Sequence, residues 1–193
     1  MSDRFAYFYQ PFKGFDLRLF VSEWSVVGVT LFNPSNHLVT SFSEEGLQVQ
    51  TSLKELEDLF YSSKSVALQL WLSDDTDLSC WIRVIDERIL VEQYGLDGLY
   101  PTELKRVIGA LVAKFKREAT SQVHDLFLVI DVEGYTIDLN WDLLAKAGKY
   151  ESHFCPDVLG ISPSRIPDFR QCLEGDVVTK VGEYLIATKL NFS

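Results

Sequence analysis

Three carboxylates, Asp131, Glu133 and Asp138, are the residues of this chain whose spacing most readily supports chemistry. The run Leu126 to Glu133 alternates, with Leu126, Leu128, Ile130 and Val132 on one side and Phe127, Val129, Asp131 and Glu133 on the other, the period-2 signature of a strand. If Gly134-Tyr135 turns the chain back through Thr136 to Leu139, Asp131 lies opposite Asp138, with Glu133 on the same face. Opposed like charges on paired strands repel unless water, a base or a cation relieves them. A divalent metal held there would serve a metal-dependent hydrolase of phosphodiesterase or nuclease type. The plainer reading is a solvated sheet face, or a helix cap at Asp138.

The segment Phe127 to Glu133 also resembles the Asp-x-Glu strand of the DEDD exonucleases, a resemblance confined to those residues. The other candidates are thiols and imidazoles. His153, Cys155 and Cys172 offer three zinc ligands at a spacing that matches no compact zinc pattern. Cys155 with His124 is a conceivable nucleophile pair, Cys80 sits in an apolar run, and His37 follows a turn. Dinucleotide, phosphate-loop, serine-hydrolase and zincin motifs are all missing. The sequence calls for no cofactor.

A second kind of site is a surface. Val66, Leu68, Leu70 and Leu72 alternate with Ala67, Gln69, Trp71 and Ser73; Cys80, Ile82 and Val84 alternate with Trp81 and Arg83. With Asp74 to Leu78 as the loop and Ser73 opposite Ser79, Trp71 meets Trp81 and Gln69 meets Arg83, which keeps one face wholly apolar. A two-residue turn at Asp86-Glu87 then returns Arg88 to Tyr94, placing Tyr94 with the tryptophans. The expected partner-binding set is Trp71, Trp81, Arg83 and Tyr94, rimmed by Asp74, Asp75, Asp77, Asp86 and Glu87. Trp, Tyr and Arg dominate binding hot spots, and an acidic rim speeds capture of basic partners. The alternative is that other strands cover this face and the tryptophans are core.

The elements that position these residues read as an α+β fold, mainly antiparallel sheet in meander and hairpins with about three helices packed on it. Phe5 to Gln10, Leu17 to Ser22, Val26 to Leu31, Leu38 to Phe42 and Leu47 to Thr51 alternate as strands, the last pair joined by a turn at 44–46. Ser52-Leu53-Lys54-Glu55 is a capping box that opens a short helix. Leu104, Val107, Ile108, Leu111, Val112 and Phe115 form the stripe of a long helix, with Thr102 as cap and Lys114, Lys116 and Arg117 complementing its dipole. Asn140 caps a third, short helix through Leu143, Leu144 and Ala147, with Gly148 past its end, Lys149 to Arg170 is irregular, and Val177 to Leu190 makes a final hairpin.

The 193 residues form one domain or two small lobes, 1–63 and 64–193. Hydrophobic content of 47% argues against disorder, and a formal charge of −10 disfavours nucleic acid and anionic membranes as partners. No secretion-type leader or membrane-length apolar run is seen, and three cysteines without repeated spacing suit free thiols in a reducing compartment. The expectation is a cytoplasmic, non-catalytic binding protein that holds a basic protein partner. A sharper form is a bacterial immunity-type inhibitor that covers a toxin's basic active site, an analogy of size, acidity and absent catalytic motifs.

Overall fold

The structure, a computed structural model, describes residues 3–43, 45–121, 125–146, 149–150, 152–174 and 176–189. In chain order the elements are β1 (Phe5–Pro11), α1 (Leu17–Ser25), β2 (Val39–Phe42), β3 (Gln48–Thr51), α2 (Leu53–Ser63), β4 (Ser65–Trp71), β5 (Asp77–Ile85), β6 (Ile89–Gly95), α3 (Pro101–Thr120), β7 (Phe127–Asp131), α4 (Trp141–Lys146), β8 (Val158–Ile161), α5 (Arg170–Leu173), β9 (Val177–Val181) and β10 (Tyr184–Thr188). The strands form one antiparallel sheet in the order β3-β2-β4-β5-β6-β1-β7-β8-β10-β9. The fold is α+β as the sequence implies. No helix among the described residues is long and apolar enough to cross a membrane.

β1 sits mid-sheet because both its faces are apolar. Ala6 and Phe8 enter a core between the sheet and α1, α2 and α3. Phe5 and Tyr9 enter a second core on the opposite face, closed by Trp141, Tyr150 and Phe169. The first core follows the expected helix stripe: Val107, Ile108, Leu111 and Phe115 are buried on α3. The capping box also forms, with Ser52 Oγ accepting from Glu55 N and Glu55 Oε2 from Ser52 N. The long helix begins one residue before Thr102, its entry fixed by Tyr100 N donating to the Glu103 carboxylate.

Three strand assignments are corrected. Leu17 to Ser22 is helical: the Asp16 carboxylate accepts from Arg18 N and Leu19 N, and Leu17, Phe20 and Trp24 are the buried positions. Leu19, which the alternation would bury, is 59% exposed. The helix closes on Gly28 at φ +73°, with Val29 N reaching back to Trp24 O, so Val26 to Leu31 cannot run as a strand and only Thr30 bridges, to Trp71. Thr136 to Leu139 is a turn, because both edges of β7 are already taken by β1 and β8. Conversely, the irregular stretch holds β8, four buried residues too short to show a period. Its Gly160 admits the Phe115 ring, which lies 2.8 Å from where a Cβ would stand. Gly160→Ala is therefore expected to cost about 1–3 kcal/mol by overpacking, read as a lowered urea midpoint.

Two registers also differ. Trp71 pairs with Asp77, and Ala67 with Trp81, four residues from the expected pairing. Leu72 N and Ser73 N both donate to Thr76 O, which closes the loop early; the even shift preserves the faces. The β5–β6 turn has three residues. Asp86 and Glu87 both take positive φ, Arg88 is the additional residue, and Ile85 pairs with Ile89. One extra residue reverses every side chain of β6. Glu92 and Tyr94 point into the helix-covered core, and Ile89, Val91 and Gln93 take the outer face. Cys155 and Cys172 are joined in a disulfide with Cα atoms 5.4 Å apart, so only Cys80 is a free thiol among the described residues. Glu44, His124, the helix end at Ala147 and Gly148, and Leu190 lie outside the described residues.

Candidate functional site

The carboxylate site does not assemble. Asp131 is fully buried at the end of β7, where its Oδ1 accepts from Gly134 N and Tyr135 N and its Oδ2 from Thr136 N and Thr136 Oγ1, at 2.5–3.2 Å. Its oxygens build the turn that sequence reasoning had assigned to a hairpin. Glu133 and Asp138 are exposed, and no group of three or more His, Cys, Asp or Glu among the described residues could hold a metal. The His153, Cys155 and Cys172 zinc reading is corrected as well, since the two sulfurs are bonded to each other. The same bond removes Cys155 as a nucleophile, and its proposed partner His124 is outside the described residues. Cys80 is no substitute: burial, then the nearby Glu92 charge, push its thiol well up.

Asp157 takes the place expected of Asp138. Its Oδ2 accepts from Val132 N and Glu133 N while it lies buried beside Asp131. Burial raises its pKa, and the Asp131 charge adds to this against the two backbone donors and Lys189. A carboxyl held above its unfolded value contributes stability that is complete below the unfolded pKa and lost as pH rises through the folded one. Asp157→Asn, which keeps a carbonyl acceptor, is expected to flatten that loss, which sets in above the unfolded aspartate value of about 4, measured as unfolding free energy against pH.

The open half of the outer sheet face is a different matter. Over β1, β7 and β8 that face is closed by the second core, which also takes in Val91 of β6 and has Ile85 and Ile89 packed on it, but over part of β4, β5 and β6 it is open: Ser79 and Trp81 are exposed, and Ser65, Ala67 and Gln93 are half-buried. Small residues on the floor and larger ones beside them leave a trough of 700 Å³, lined by Tyr7, Phe42, Ala67, Ser79, Trp81 and Ile137 among others.

Along its side runs a fixed ladder. Trp81 Nε1 donates to Ser65 Oγ at 2.6 Å, the Arg83 guanidinium lies 5.0 Å from the Trp81 ring centre, and Arg83 Nη2 reaches both Asp142 oxygens at 2.9 and 3.0 Å. Tyr9 OH donates to the same carboxylate at 3.0 Å, and Tyr7 stacks on Tyr9. Burial first, then the charge and hydrogen bond of Asp142, push Tyr9 far up, so it remains a donor.

The expected partner set divides accordingly. Trp81 and Arg83 belong to the ladder. Trp71 is half-buried at the far end of β4, opposite Asp77, whose carboxylate accepts from Gln69. Asp74 and Asp75 are exposed in the loop before β5, and Asp86 and Glu87 are exposed in the turn after it, so acidic groups bracket the strand at both ends. Asp86 is paired with Lys146 at 2.7 Å. Tyr94 is corrected: it is buried on the other face against Trp24. Sequence reasoning missed Tyr7 and Asp142; the alternation of β1 could have found the first, whereas the second depends on how α4 docks.

Tyr94 belongs to a network that nothing in the sequence marked. Glu92 accepts from Lys114 Nζ at 2.6 and 2.8 Å, from Tyr94 OH at 2.5 Å and from Gln10 Nε2 at 3.1 Å, while Lys114 also reaches Glu23 at 3.3 Å. Every oxygen and charge is answered within the protein, so this is a structural tie between β6, α1 and α3. No protein-family model matches the chain, and neither the curated proteins nor the solved structures yield a match.

Proposed function

We propose that the chain is a non-catalytic protein-binding module that holds a basic partner on the open face of β4, β5 and β6. The observation that carries this reading is the Trp81–Arg83–Asp142 ladder, an aromatic and cationic group held rigid beside an uncovered trough and bracketed by acidic turns. Preorganised Trp and Arg at a desolvatable centre are what hot spots are made of, and fixed rotamers reduce the ordering cost of association. The acidic ends of β5, in a chain of charge −10, favour a cationic partner and a fast encounter. An inhibitor of the immunity type, seated over the basic active site of a toxin, is the sharper form of the proposal.

Affinity capture from the native host tests it: the wild-type chain should retain a basic protein at equal stoichiometry. Asp74→Lys with Asp75→Lys should slow association by about tenfold at low salt and much less at high salt. Failure to retain any stoichiometric partner, or charge reversal without effect, overturns the reading. A cytoplasmic location is part of the same proposal, and the Cys155–Cys172 disulfide counts against it because such bonds are rare where thiols are kept reduced. Alkylation in denaturant at the moment of lysis, read by intact mass, decides between one alkylated cysteine and three.

A further inference from the structure

We infer that a second cleft, separate from the open sheet face, binds a small organic phosphate. It encloses 520 Å³ where the β5–β6 turn, the end of α4 and the turn at Pro163–Arg165 meet, within the roughly 300–1,000 Å³ of small-molecule sites. Arg88, Lys146 and Arg165 line it against Asp86 and Asp125, an excess of one positive charge (three minus two) in a chain whose formal charge is −10. Two other clefts of the molecule differ in this respect. One is lined by Lys13 and Lys114 against Asp16, Glu23, Glu92 and Glu118, and the trough beside Trp81 has no charged lining residue.

The cations have different duties. Arg165 donates to Leu144 O and Ala145 O and pairs with Asp168, which neutralises the carbonyl end of α4 that would otherwise repel an anion. Lys146 pairs with the half-exposed Asp86, a surface ion pair that an incoming anion can replace. Arg88 is exposed on the turn, and its backbone is anchored by Phe12 N donating to Arg88 O. Ser162 and Ser164 place two hydroxyls 2.8 Å apart on the same wall. Guanidinium, ammonium and paired hydroxyls arriving from three segments suit an anion with several acceptor oxygens. Tyr9, Pro11, Ile89 and Phe127 supply an apolar wall for the body that carries it.

The test titrates the whole chain with phenyl phosphate, inorganic phosphate and phenol at constant ionic strength, read by calorimetry and by thermal melting. Phenyl phosphate should bind saturably and raise Tm by linkage, inorganic phosphate more weakly, and phenol not at all. Arg88→Gln and Lys146→Gln, both at exposed positions, should each weaken phenyl phosphate by about tenfold or more, the scale of one charge-assisted hydrogen bond. No saturable binding to the wild type, or binding unchanged in both variants, overturns the site. Equal binding of inorganic and phenyl phosphate overturns the organic ligand.

Discussion

Lys114→Met should destabilise the fold by about 3–5 kcal/mol, because it strands a buried carboxylate without its counter-ion. Glu92 is 1% exposed, and each of its oxygens takes one hydrogen bond from Lys114. Tyr94 and Gln10 remain after the substitution, but two neutral donors do not offset a full charge in the core. Since domains are stable by about 5–15 kcal/mol in total, the variant should sit close to unfolding at 37 °C. Urea titration at pH 7 measures the loss. Replacing both members, Glu92→Leu with Lys114→Met, should recover most of it, since apolar side chains of similar volume often match or exceed a buried pair. A single variant that costs under about 1 kcal/mol, or a double variant no better than the single, would show that the pair is not what ties β6 to α3.

The pair also sets a pH signature. Burial alone would draw the Lys114 pKa down, but the Glu92 and Glu23 carboxylates outweigh it and the net shift is upward. A lysine raised in the folded state contributes stability that is complete below its unfolded pKa, about 10.4, and is lost as pH rises through the folded value. The stabilisation should therefore be flat through neutrality and fall only in alkali. The opposite slope of a depressed carboxylate, lost towards acid, is not what this group produces.

How much of this was legible in the sequence depends on whether a residue's environment is local. The capping box of α2, the stripe of α3 and the hairpin of β9 and β10 are set by neighbours within one turn or one strand, and each forms as the pattern requires. Leu17 to Val21 shows the limit: five residues fit a period of two and a period of 3.6 equally well, and the Asp16 cap decides. The β5–β6 turn shows a sharper one. A single residue, Arg88, separates a three-residue turn from a two-residue one, and it moves Glu92 and Tyr94 from the surface into the core.

The carboxylates mark a third limit. Asp131 stands out as a carboxylate at the end of an apolar strand, and backbone donors from Gly134 to Thr136 answer its buried oxygens. A carboxylate that organises a turn and one that binds a metal share the same residue type and flanking glycine. Only the direction of the donors separates them. In the same way Trp81 and Arg83 were readable as one face of β5, whereas Asp142, which locks Arg83 in place, comes from a helix 59 residues on.

Trp81→Ala should weaken the proposed partner complex by about 2–4 kcal/mol, roughly 30- to 1,000-fold in Kd, with most of the change in dissociation rate. The indole is 45% exposed in the free chain, so truncation leaves little cavity and fold stability should change by under about 1 kcal/mol. What is lost is the flat surface that Arg83 stacks on and the wall of the trough. Arg83→Lys separates these contributions, because lysine keeps the charge but cannot lie flat on the indole while reaching both oxygens of Asp142. It should lose part of the affinity, and Asp142→Asn, which weakens the hold on the guanidinium, should lose less. Surface plasmon resonance with the captured partner gives both rate constants. If Trp81→Ala binds within about threefold of the wild type while Asp74→Lys and Asp75→Lys abolish binding, affinity resides in the acidic loops and the open sheet face is not the docking surface.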